Sequence, residues 1–145
     1  MIKIVALSLF ISLAYSSNSL PENAQQKKLL EIEISNIQKT KGQVIIDIYS
    51  TKATWLKKPD VRKIISTEKD LDVISIDVPF GTYAISIFQD INKNGELERN
   101  FIGIPKEPIG FGNNYKPFGY PKFESASIQF SSSTQVQNIK LFKVF

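Results

Sequence analysis

Apolar and polar residues alternate with a period of two along most of this chain, and that rhythm restricts it to β-structure. Leu30, Ile32 and Ile34 alternate with Glu31, Glu33 and Ser35. Val44, Ile46 and Ile48 alternate with Ile45, Asp47 and Tyr49. Ile74, Ile76 and Val78 oppose Ser75 and Asp77, and Tyr83, Ile85 and Ile87 oppose Ala84, Ser86 and Phe88. Successive side chains of a strand point to opposite faces, so each run offers one face to a core. "SASIQF" (125–130) and "QVQNIKLF" (135–142) extend the pattern, and residues 63–66 form a shorter run. Gly42 between the first two runs predicts a hairpin, and Pro79-Phe80-Gly81 a tight turn. No stretch carries a convincing helical period. Short strands with frequent turn signals predict an all-β fold: a single antiparallel β-sandwich of six to seven strands, with an up-and-down barrel as the competing architecture.

The first residues follow a different rule. Met1-Ile2-Lys3 is a short basic start, residues 4–14 are apolar except for Ser8 and Ser12, and Ala14-Tyr15-Ser16 places small residues before a cleavage point. This pattern predicts a secretory signal peptide over 1–16, too short to span a bilayer as a permanent helix. Residues 17–28 read as a flexible polar tail and 29–145 as the sandwich domain. Export into the periplasm or beyond the cell follows, with no transmembrane segment in the mature chain.

Cysteine and histidine are both absent. Their absence excludes disulfides, a cysteine-linked lipid anchor, histidine-based nucleophilic catalysis and the usual zinc sites. The formal charge of +4 is scattered apart from Lys57, Lys58, Arg62 and Lys63, which read as a solvated turn. An exported chain without a basic helix is not expected to bind nucleic acid.

Residues 90–123 break the alternation. This span holds five of the seven glycines and four of the seven prolines, yet it also carries Phe101, Phe111, Tyr115, Phe118, Tyr120 and Phe123. Flexible linkers are poor in aromatics. The span therefore reads as one long ordered loop packed over an end or face of the sandwich. Phe111 and Phe123 are expected to anchor it, while Tyr115, Phe118 and Tyr120 are the candidate partner surface. Trp55 and Leu56 are expected to plug the core.

Three pieces in order carry a family resemblance: Gly81-Thr82-Tyr83-Ala84; Asp90-x-Asn92-x-Asn94-Gly95-x-Leu97; and Gly103-x-Pro105-x-Glu107-Pro108-x-Gly110-Phe111-x-Asn113. Together they resemble an exported bacterial family, domain of unknown function 2141. The resemblance implies a transthyretin-like or carboxypeptidase-regulatory-like sandwich and no established activity. The chain departs from the family at Gln89, commonly histidine, and at Glu98, commonly aspartate. Some transthyretin-like proteins are hydrolases that use histidines, and that activity does not carry over.

Asp90, Asn92 and Asn94 also have the spacing of a calcium loop, with Gly95 at the sharp turn, the Glu96 carbonyl next and Glu98 beyond. The match to a helix–loop–helix site stops there, since Phe101 stands where a bidentate glutamate belongs; Glu107 is the nearest further carboxylate. The same residues make an ordinary turn without an ion. A weak structural calcium site is thus one expectation. Three functions compete: a non-catalytic module binding a glycan or a cell-envelope protein, a glycosidase-like hydrolase using Glu96, Glu98 or Glu107, and a purely structural envelope domain.

Overall fold

The computed structural model describes residues 28–71 and 73–144. The expected leader and nearly all of the expected tail lie outside these residues. Eight strands follow in order: β1 (Lys28–Ser35), β2 (Gln43–Tyr49), β3 (Val61–Ser66), β4 (Ile74–Val78), β5 (Gly81–Asp90), β6 (Ile109–Phe111), β7 (Ser127–Phe130) and β8 (Gln137–Lys140). A single helical turn, α1 (Phe123–Ala126), precedes β7. The strands form a three-stranded sheet, β4-β1-β8, and a five-stranded sheet, β3-β2-β5-β6, in which β7 also pairs with β5. An isolated bridge joins Ile109 of β6 to Phe142 just after β8, but among the described residues β3 and β4 do not pair across the other side, so the fold is a sandwich and not a barrel. Among the described residues no helix is long and apolar enough to cross a membrane.

The small sheet keeps the strict alternation because one face meets water. Leu30, Ile32 and Ile34 are buried while their neighbours along β1 are exposed. The large sheet does not. Nearly every residue of β2 and β5 is buried. Val44, Ile46, Ile48, Ile85 and Ile87 face the small sheet and form the main core. On the opposite face, Ile45, Tyr49, Ala84 and Phe88 join Trp55, Ile109, Phe111 and Ala126 in a second core. Trp55 and Leu56 together with the span after Asp90 cover that second face.

Two expectations about connections change. The predicted β1–β2 hairpin does not form: β1 and β2 belong to different sheets, and residues 36–42 cross between them. Asn36, Thr40 and Gly42 all take positive φ along this crossover. A Cβ on Gly42 would lie 2.0 Å from the Asp90 carbonyl oxygen, so only glycine lets the chain pass there. The second change is orientation: β1 and β8 pair in parallel, Ile32 opposite Gln137 and Ile34 opposite Ile139. The strand count rises to eight partly because β6 lies inside the span read as loop.

Candidate functional site

The span after β5 is held to the large sheet by buried polar side chains. Asp90, fully buried, accepts N–H bonds from Asn94 (3.1 Å) and Gly95 (2.7 Å) and a third from the Gln43 side chain (2.8 Å). Glu107, also buried, accepts Ile91 N–H (2.7 Å) and Glu98 N–H (3.1 Å). Both carboxylates thus close the turn from its two ends. Asn92 Oδ1 accepts Asn94 N–H and Asn94 Oδ1 accepts Glu96 N–H, each bond spanning two residues. Glu98 is exposed and accepts from the Asn92 amide at 2.8 Å. Among the described residues no three acidic side chains converge as a metal cage. These bonds build the turn expected of Asp and Asn without an ion.

Further along, a short hairpin projects from the surface. Arg99 and Pro105 form a β-bridge, Asn100 N–H donates to Ile104 O (2.8 Å), and Asn100 Oδ1 accepts from Ile102 and Ile104. Its tip displays Phe101, fully exposed, and Ile102, mostly exposed. After β6 the chain is latched again. Asn113 donates to Ser127 O (2.7 Å), while Asn114 donates to Asn138 O and accepts Lys140 N–H. Both asparagines adopt positive φ. A Cβ on Gly112 would reach 2.2 Å from Ala126 O, so the latch closes against glycine. Residues 117–121 then rise as a second wall, with Phe118 and Tyr120 exposed and Gly119 at φ +89°.

Between these walls lies an open groove of about 540 Å³. Phe88, Ile109 and Phe111 form its floor; Leu97, Ile102 and Ile104 line one side and Pro117, Phe118 and Tyr120 the other. Phe142 and Val144 complete it, and Lys116 sits 5.4 Å above the Phe142 ring. Among the described residues Arg99 is the one charged residue in the lining. A volume of this size falls within the range of small-molecule sites.

A polar row runs across the same face of the sheet. Arg62 on β3 grips buried Asp47 on β2 with two bonds of 2.7 Å, from Nε and Nη2. Tyr49 donates to Asp47 at 3.4 Å. Burial, followed by the nearby Asp47 charge, pushes the Tyr49 hydroxyl well above tyrosine's ordinary range. The Asp47 hydrogen bond raises Arg62 in turn. Tyr49 is therefore held protonated and cannot serve as a base near neutral pH.

Of the candidate partner residues, Phe118 and Tyr120 stand at the groove. Tyr115 does not: it is half-buried against Phe111, ring centroids 6.1 Å apart, and belongs to the second core. Phe111 is buried as expected, whereas Phe123 is only partly so, edge-on to Trp55 at 6.0 Å. Trp55 and Leu56 pack into the second core on the outer face of the large sheet, where the Trp55 indole donates to Pro121 O at 2.9 Å. Gln89 is also a structural residue. It is fully buried, its amide donates to Gln38 O and Lys41 O (2.7 Å each), and its oxygen accepts Gln38 N–H. Sequence reasoning missed Arg99, Ile102, Phe142 and Val144; the apolar run Phe101-Ile102-Gly103-Ile104 inside a loop was the available signal.

The model of the family described as uncharacterized protein conserved in bacteria (DUF2141) matches residues 32–138. The chain belongs to this family. Its signature pieces in this member now have physical roles: Asp90 and Glu107 tie the turn, and Asn113 closes the latch. No curated protein and no solved structure matches the chain.

Proposed function

We propose that this family member is an exported, non-catalytic binding module that takes an apolar ligand in the groove between the 99–105 hairpin and the 117–121 turn. The observation that carries this reading is exposure. Phe101, Ile102, Phe118 and Tyr120 stand out into solvent around a preformed apolar trough, and exposed apolar patches of this kind mark interaction sites. The lining offers few hydrogen-bonding side chains, which favours an apolar occupant over a glycan. Among the described residues no carboxylate lines the groove, and Glu107 is occupied by two backbone N–H donors, so the arrangement gives no support to an acid–base pair. Export rests on the sequence of residues 1–16 alone. A mature N-terminus between Ser16 and Leu20, read by mass spectrometry of protein from its host, tests it.

Calcium enters the same proposal as a weak structural ligand of the turn. Asp90, Asn92, Asn94 and the Glu96 carbonyl lie around one turn beside exposed Glu98. A carboxylate has about four lone-pair sites and an amide oxygen two, so Asp90 Oδ1, Asn92 Oδ1 and Asn94 Oδ1, each accepting one N–H, keep a lone pair for a cation, while Asp90 Oδ2 accepts two donors.

The binding reading is tested with a neutral apolar dye, Nile red, and the mature protein. Its fluorescence is expected to rise and saturate with wild type and to fall away in Phe118→Asp and Ile102→Asp. Both residues are solvent-exposed, so neither variant should alter the unfolding free energy by more than the surface norm of about 0.5 kcal/mol. A wild type that leaves the dye dark overturns the reading.

A further inference from the structure

Resting on that groove reading, we infer that the natural ligand is a single-chain anionic amphiphile, a free long-chain fatty acid, with its carboxylate at Arg99 and its chain along the groove floor. Three observations converge. First, the floor and walls are aliphatic and aromatic over their length: Phe88, Leu97, Ile104, Ile109 and Phe142 offer no hydrogen bond to a ligand but bury methylene groups well. Second, Arg99 is the only charge in that lining among the described residues. Among the described residues it has no carboxylate within ion-pair distance, and one of its terminal nitrogens donates to Gly103 O at 3.1 Å. A guanidinium carries five N–H donors in a planar fork that suits a carboxylate. Third, the adjoining depression at Tyr120 and Pro121 carries Lys52, Lys57 and Lys122, with Glu124 already paired to Lys52. The field around this mouth of the groove therefore favours an anion over a cation. The volume of about 540 Å³ is on the order of that of one long acyl chain, roughly 18 methylene-sized groups.

Displacement of Nile red by a series of saturated fatty acids, each below its micelle concentration, tests the assignment. Affinity is expected to rise about threefold to fourfold per added methylene and to level off once the chain outgrows the groove, near roughly 18 carbons. Arg99→Gln should weaken the fatty acid roughly tenfold while leaving the matched fatty alcohol unchanged; Lys57→Gln with Lys122→Gln, which removes only part of the surrounding field, should weaken the acid less than Arg99→Gln does and leave the alcohol unchanged. Arg99 is exposed, so its loss does not threaten the fold. Fatty acid and alcohol bound equally by wild type would overturn the head-group assignment, as would a loss that follows the lysines and not Arg99. Nile red that binds but resists every chain length would overturn the inference while leaving the groove reading intact. A dye that never binds removes the groove reading itself.

Discussion

Gln89 and Asp90 are consecutive on β5 and hold opposite sides of the molecule together. Gln89 faces between the sheets and pins the crossover at Gln38 and Lys41. Asp90 faces outward and pins the turn at Asn94 and Gly95. A strand places neighbours on opposite faces, so one dipeptide secures two loops that are remote in sequence. Gln89→Ala should lower unfolding free energy by roughly 2–4 kcal/mol, because three hydrogen bonds are lost and partly buried backbone groups lose their partner. Urea unfolding followed by Trp55 fluorescence measures it. A loss under about 0.5 kcal/mol would show that the crossover is not held this way.

Gly42 should tolerate no side chain. Its φ of +68° and the 2.0 Å approach of a Cβ to Asp90 O combine backbone strain with a clash against main chain. Gly42→Ala is expected to cost about 3 kcal/mol or more, whereas Gly103→Ala, with open space around it, should cost only the strain of its positive φ, about 1 kcal/mol. Thermal melts of the two variants side by side give the comparison.

Calcium should raise the melting temperature modestly. With a dissociation constant on the order of 1 mM, as in extracellular modules, about 10 mM calcium stabilises by about 1.4 kcal/mol. For a domain of this size that corresponds to roughly 3–6 °C. Chelator should reverse the shift and Asp90→Ala should abolish it. Identical melts with calcium and chelator would leave the turn to its own hydrogen bonds.

Alkaline pH should destabilise the fold through Tyr49. Its hydroxyl titrates higher in the folded state than in the unfolded chain, where tyrosine ionises near its ordinary value of about 10. Below that value both states are protonated and stability is unaffected. Above it the unfolded state releases a proton that the folded state retains, so stability falls as pH rises. Tyr83, also raised mainly by burial, adds to the same slope. Tyr49→Phe should flatten the decline between about pH 10 and 12, read as melting temperature against pH. An unchanged slope would locate the sensitivity elsewhere.

The strands were legible in the sequence because the pleat is local: Leu30, Ile32 and Ile34 can share a face only if the backbone is extended. The turn at Asp90–Gly95 was legible for the same reason, since its bonds from Asn92 to Asn94 and from Asn94 to Glu96 span two residues. Phe118 and Tyr120 could be nominated for exposure from their glycine and proline neighbours. The pairing of strands was not legible. A glycine between two alternating runs suits a hairpin and a crossover equally, and the choice depends on which edges bury most surface when both sheets are present. The alternation of β2 and β5 also understated their burial, because the second face is covered by residues outside both strands, Trp55, Phe111 and Ala126 among them. Tyr115 turned inward for that reason: Phe111 offered it a wall. The groove belongs wholly to tertiary structure. Arg99, Phe118 and Phe142 are distant along the chain and meet only after Asp90, Glu107, Asn113 and Asn114 have fastened their backbones to the sheet, and no local periodicity encodes where such fastened segments leave a gap.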